Sequence, residues 1–132
     1  MGVETTKQYA YSFTFGSEVN VDEKMKLNLL DGEEILSAYR NKETLGLLTN
    51  KRIMYKGLLF GQSMPLIEKE VNIYYIPYKS IDFFASEFSD TTLFNAFKHV
   101  TLWTKGNNQI SILFDRDVNI KKIRNIIAMH IV

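Results

Sequence analysis

Residues 115–132 read DRDVNIKKIRNIIAMHIV, a stretch whose apolar residues recur at helical rather than strand spacing. Ile120, Ile123, Ile127 and Ile131, with Val118 and Ile126 beside them, line one side, because residues three and four apart share a helix face. Asn119, Lys121, Lys122, Arg124 and Asn125 fall mostly opposite. Asp117 offers an acceptor to the free N–H groups of a first turn and a charge suited to the positive end of the helix dipole. A helix over 117–131 follows, starting near Val118. Alone in water, so short a helix rich in β-branched residues is marginal, so its isoleucine stripe requires a sheet to cover it.

The preceding residues supply that sheet. Alternating patterns predict seven strands: Ile35–Asn41, Thr44–Thr49, Arg52–Leu59, Lys69–Ile76, Ser80–Phe88, Phe97–Lys105 and Gln109–Asp115. Connections as short as Lys42-Glu43, Asn50-Lys51 and Pro77-Tyr78-Lys79 force neighbouring strands to run antiparallel, since a parallel crossover needs a dozen residues or more. Asn50 suits a left-handed turn position, and Pro77, which cannot donate to a ladder, suits a strand end. In the last hairpin, pairing Leu102 with Ile112 and Val100 with Phe114 requires an odd loop, Gly106-Asn107-Asn108. That places Trp103 and Leu113 on the outer face, where they are covered or meet another molecule.

Further back, Asn20 or Asp22 can cap a short helix near residues 20–30 that brings Val21, Met25 and Leu29 to one face. Tyr9, Tyr11, Phe13 and Phe15 alternate with Ala10, Ser12 and Thr14, which is strand periodicity with four aromatics on one side. Gly16 and Ser17 are expected to end this strand. The chain then divides into an N-terminal extension, residues 1–16, and a domain, residues 17–132. The aromatic strand has no partner in its own neighbourhood, so it adds to a sheet edge of its own subunit or to another chain. Met1 to Gln8 are polar, aperiodic and expected to be loose.

At 132 residues, 45% hydrophobic and 13% aromatic, the chain has the length and composition of one folded domain. Sixteen basic and fifteen acidic residues leave a net charge of +1, so no global field draws it to nucleic acid, and no nucleic-acid partner is expected. With no cysteine, disulfides and thiolate metal sites are excluded. The absence of an export signal and of an apolar run of ~20 residues predicts a cytoplasmic protein that touches a bilayer peripherally at most.

Candidates for chemistry are few. His99 and His130 are the only histidines, and neither belongs to a ligand-spaced cluster, so no metal site is expected. Glu33-Glu34 and the pair Asp115 and Asp117 read as turn and cap residues rather than an acid–base couple. There is no serine elbow, phosphate-cradling glycine loop or nucleotide fingerprint, which argues against an enzyme and against a cofactor. Lys51 and Arg52, with Arg40 and Lys42, form a weak candidate anion contact, and a structural pairing of Arg52 with a carboxylate or carbonyl is the default. Lys121, Lys122 and Arg124 read as a solvated helix face. Leu58, Leu59, Phe60, Met64, Leu66 and Ile67 crowd the connection from Gly57 to Ile67; a small satellite core is the plain expectation. A subunit contact is favoured over shallow bilayer insertion, since few basic residues lie near it.

Leu48-Thr49-Asn50-Lys51-Arg52-Ile53, followed by Ile76-Pro77-Tyr78-Lys79-Ser80-Ile81, together with Gly32-Glu33-Glu34-Ile35 and the ending from Phe114 to Ile127, resembles the bacterial pleckstrin-homology domain family. The resemblance covers about Leu27 to Val132 and not Met1 to Gly16. It implies a mainly β fold, a partly open barrel of seven antiparallel strands in two roughly orthogonal sheets capped by the C-terminal helix. It also implies homo-oligomeric rings, five-membered in known examples, and brings no enzymatic activity. Ser89 to Asn95 and the aromatic N-terminal strand depart from the family pattern.

These observations predict a non-catalytic interaction module that self-associates through outward apolar residues: Tyr9, Tyr11, Phe13 and Phe15 added to a neighbour's sheet, Leu58, Leu59 and Phe60, and Trp103 and Leu113. Another protein is an alternative partner. Two other classes of function compete: a peripheral membrane or lipid-binding module using Leu58 to Phe60 with Lys51 and Arg52, and a peptide-binding adaptor with its groove between the helix and the fifth strand.

Overall fold

Gly16 is the pivot about which the sheet is built. The structure, a computed structural model, describes residues 9–57, 72–86 and 97–132. Its strands are β1 (Tyr9–Val19), β2 (Ile35–Asn41), β3 (Thr44–Thr49), β4 (Arg52–Gly57), β5 (Asn72–Pro77), β6 (Ile81–Ser86), β7 (Phe97–Thr104) and β8 (Asn108–Asp115), followed by helix α1 (Ile120–Ile131). They form an eight-stranded sheet in the order β5-β4-β3-β2-β1-β8-β7-β6. The count is therefore eight rather than seven among the described residues, and the added strand is the aromatic one.

β1 does not end at Gly16. Tyr9 to Gly16 run parallel to β8, and Ser17 to Val19 run antiparallel to β2, with a register shift between Thr14 and Gly16. Gly16 turns the strand from one half of the sheet to the other at φ +80°, and a Cβ there would lie 2.5 Å from the Arg40 carbonyl oxygen. No other residue fits both the angle and the space. At this crossing Thr14 lacks a ladder partner on one side, and side chains replace it. Its amide donates to Tyr55 Oη at 3.3 Å and its carbonyl accepts from Thr44 Oγ1 at 2.7 Å. A parallel pair is possible because nearly the whole domain separates β1 from β8 in sequence, meeting the crossover requirement.

The remaining strands fall close to their predicted limits. The last hairpin keeps its odd loop but is two residues out of the predicted register. Thr104 pairs with Asn108, Leu102 with Ile110 and Val100 with Ile112, so the loop is Lys105-Gly106-Asn107. Gly106 (φ 87°) and Asn107 (φ 64°) take the left-handed positions. A shift of two preserves the faces, and Trp103 and Leu113 remain outside. Lys42, not Asn50, is left-handed (φ 52°). Asn50 instead shapes its turn by side chain, accepting from the Glu34 amide at 2.8 Å and donating to the Gly32 carbonyl at 3.1 Å. The short helix is a single 3-10 turn, Glu23–Lys26, with Asp22 as its cap. The C-terminal helix begins later than predicted: Asn119 accepts from the Lys122 amide, while Val118 is buried and its amide closes a turn onto Asp115.

The core lies between the two halves. Phe15 is fully buried, its ring 5.7 Å from Tyr39, 5.8 Å from Tyr55 and 5.3 Å from Phe114, and Phe13 stacks on Tyr55 at 4.3 Å. Ile120, Ile123 and Ile127 of α1 complete this core, so the predicted stripe is covered as required. A smaller cluster on the outside of the sheet joins Met25 to Ala38, Leu47 and Met54.

Candidate functional site

The predicted interface residues divide between inside and outside. Phe13 and Phe15 belong to the core, Tyr11 is half-buried and Tyr9 is exposed. With β8 along one side and β2 taking up its end, β1 lies at the centre of the chain's own sheet. Addition to a neighbour's sheet therefore gives way to pairing within the subunit. Four aromatics on one face signal burial, and periodicity cannot say in which subunit. Leu58, Leu59 and Phe60 lie outside the described residues.

Trp103 and Leu113 are on the outer face as expected, each half-buried. Trp103 stacks on Phe83 with ring centroids 4.6 Å apart and planes 11° apart, and Phe83 is 58% exposed. Phe83 escapes a reading by alternation, because starting from buried Ile81 it would point inward. The register shift between Ile81 and Phe83 puts Phe84 opposite Leu102 inside and turns Phe83 out opposite Trp103. Two consecutive phenylalanines were the available sign, since a strand cannot bury both on one face. β6 is an edge strand, with no partner on its far side among the described residues.

The four predicted cations are not brought together. Arg40 and Lys42 stand at the β2–β3 hairpin, whereas Lys51 and Arg52 stand at the opposite end of β3. Lys51 Nζ donates to the Asp31 carbonyl at 3.1 Å. Arg52 makes a two-point contact with Glu33, Nε to Oε2 at 3.0 Å and an Nη to Oε1 at 3.1 Å, donates to the Asn28 carbonyl and lies over the Tyr75 ring at 4.5 Å. Its default role as a structural partner holds. Burial pushes the Glu33 carboxyl up, but the Leu30 amide, the Thr49 hydroxyl and Arg52 outweigh it and hold it below its ordinary value. Thr49 continues the network, its carbonyl accepting from Tyr78 Oη at 2.6 Å.

Two hollows flank this frame. One, of ≈ 410 Å³, lies on the outer face of β2–β5 beside Glu23–Lys26, and Arg40 and Lys56 are on its rim. The other, of ≈ 370 Å³, opens where β5 faces the β7–β8 hairpin and is lined by Tyr11, Tyr74, Tyr75 and Pro77. His130 contacts the Ile126 carbonyl at 2.7 Å and stacks on Tyr78, while His99 is exposed on β7. Among the described residues no group of three or more His, Cys, Asp or Glu side chains is placed to hold a metal ion. Among the same residues, no helix is long and apolar enough to cross a membrane.

A sequence profile described as Bacterial PH domain matches residues 7–131, which brings the N-terminal strand inside a match expected to begin near Leu27. The fold is similar to the crystal structure of a DUF1696 family protein with a pleckstrin-homology domain from Shewanella loihica. The identity is 25%, the TM-score 0.69, and the match covers 88% of this chain and 97% of that one. It is also similar to a pleckstrin homology domain from Shewanella amazonensis, at 24% identity, TM-score 0.59 and 83% coverage of both chains. A PH domain-containing bacterial protein from Exiguobacterium sibiricum matches at 17% identity and TM-score 0.63, over 88% of this chain and 62% of its own. No curated protein matches the chain.

Proposed function

The chain belongs to the bacterial PH domain family, and on that premise we propose that it is a non-catalytic assembly module that contacts a second copy of itself through the outer face of β6, β7 and β8. The observation that carries this function is the stacked pair Phe83 and Trp103 on an edge strand, with Phe83 more exposed than buried. Leaving an exposed phenylalanine and a half-buried tryptophan beside water forfeits burial energy, and a strand edge with no partner among the described residues is a ready template for another chain. Leu113 extends the apolar surface on β8. A second copy satisfies both features at once, because the same face and the same edge are present on each molecule. Lys51 and Arg52, the cations on which a bilayer-docking role would rest, are engaged within the chain, so that role has little left to stand on.

Size-exclusion chromatography with light scattering tests the assignment at tens of micromolar. The wild type is expected above the 15.3 kDa of one chain, and Phe83→Ser or Trp103→Ser is expected to return it to one chain with the fold intact by circular dichroism. A wild type of monomer mass, or variants that stay assembled, would overturn it.

A further inference from the structure

We propose that the groove on the outer face of β2–β5 is a binding site for an anionic amphiphile, a molecule with a single carboxylate or phosphate head on an apolar tail. This site lies on the other half of the sheet from Phe83 and Trp103 and does not depend on the assembly function. Its geometry comes from register. Arg40 pairs with Leu45, Leu45 with Lys56 and Lys56 with Ile73, so these four side chains form one row across β2, β3, β4 and β5 on the same face. Neighbouring strands lie about 4.8 Å apart, which puts the Arg40 and Lys56 backbones about 10 Å apart with Leu45 between them. Long, flexible side chains at that spacing can lean over one shared anion. Lys24, from the 3-10 turn that walls the groove, adds a third cation.

Arg52 and Lys122 have carboxylate partners, whereas Lys24, Arg40 and Lys56 make no ion pair among the described residues. Facing them on the rim are Asp22 and Glu43, and the Asp22 carboxylate already accepts from the Met25 amide as a cap. Among the described residues that line the groove, three cations stand against two carboxylates, and a carboxylate or phosphate complements the remaining positive charge. The floor is apolar, made by Leu45, Leu47, Met54 and Met25, and two methionines give it a surface that adapts to a chain of varied length. At ≈ 410 Å³ the groove falls in the range of small-molecule sites. A charged rim over an apolar floor fits a head and a tail in one molecule better than it fits a bare ion.

Isothermal titration calorimetry on the full chain tests this with dodecanoate and with a single-chain lysophosphatidate, both held below their micelle concentrations, and with phosphatidylglycerol vesicles. Saturable one-to-one binding of at least one monomeric probe is expected, weakened at least about tenfold in Arg40→Gln/Lys56→Gln and lost for 1-dodecanol, which has the tail without the charge. Both substituted residues are exposed, so thermal unfolding of the variant should match wild type. No saturable binding of either monomeric probe up to about 1 mM, equal affinity in the double variant, or binding to vesicles only would overturn the proposal. The last outcome would mean a membrane surface rather than a groove.

Discussion

Gly46 of β3 carries the ring of Phe15 directly above it, and this contact gives a quantitative handle on where β1 lies. A Cβ built on Gly46 would sit 2.5 Å from Cγ and Cδ2 of Phe15, well inside any relaxed carbon–carbon contact. Gly46→Ala must displace a fully buried ring, an overpacking cost of about 1–3 kcal/mol. A smaller opposing gain of about 0.4–1 kcal/mol comes from the reduced freedom of the unfolded chain. Phe15→Ala deletes the same ring and should cost about 3–5 kcal/mol. In that background the alanine methyl at position 46 has room, so Gly46→Ala should become neutral or mildly stabilising. The coupling between the two substitutions is then about 1–3 kcal/mol. Urea unfolding followed by circular dichroism at low micromolar concentration reads it, with Phe15→Leu as the background should Phe15→Ala fail to fold. Equal costs for Gly46→Ala with and without the ring would refute the placement of β1 against β3.

Four further outcomes follow from buried polar groups and the helix cap. Glu33→Gln should destabilise by about 2–4 kcal/mol at neutral pH, since it leaves Arg52 without its charge partner. Because the Glu33 carboxyl is held below its ordinary 4.5, its contribution is complete above that pH and fades as pH falls through the lower folded value. Acid unfolding of the variant should therefore be flatter than that of wild type. Tyr78→Phe removes the buried donor to the Thr49 carbonyl and should cost about 1–3 kcal/mol in denaturant titration. Burial pushes the Tyr39 hydroxyl up to about 12, so stability should decline as pH rises from the ordinary tyrosine range toward that value, read by absorbance at alkaline pH. Asn119→Ala should cost about 1 kcal/mol in thermal unfolding, and Asp117→Ala less, since Asn119 caps α1.

Much of the sheet was legible because hairpin loops of two or three residues leave little freedom: β2 and β3 end where alternation and the Lys42-Glu43 turn place them. The isoleucine stripe of α1 was equally plain. What escaped were the features set by distant partners. Nothing local to Tyr9–Phe15 says that its neighbours are Asn108 to Phe114, almost a whole chain away, and Gly16 looked like a stop because a pivot and a stop use the same residue. Phe83 was hidden by a bulge, an insertion that reverses parity without a mark of its own. The Glu33–Arg52 pair was half visible: Arg52 needed a carboxylate, but Glu33 looked like a turn residue beside Glu34. The groove was invisible, because Arg40 and Lys56 become neighbours only through the pairing of β2, β3 and β4.

β1 completes its own subunit's sheet beside β8. Ser12 and Ser111 are register partners on the outer face of this pair of strands, and the chain has no cysteine of its own. Ser12→Cys/Ser111→Cys, bridged with a short bis-maleimide and run on a denaturing gel, is predicted to give a cross-linked band at the mass of one chain. Cross-linking only into two-chain species, or none at all, would contradict it.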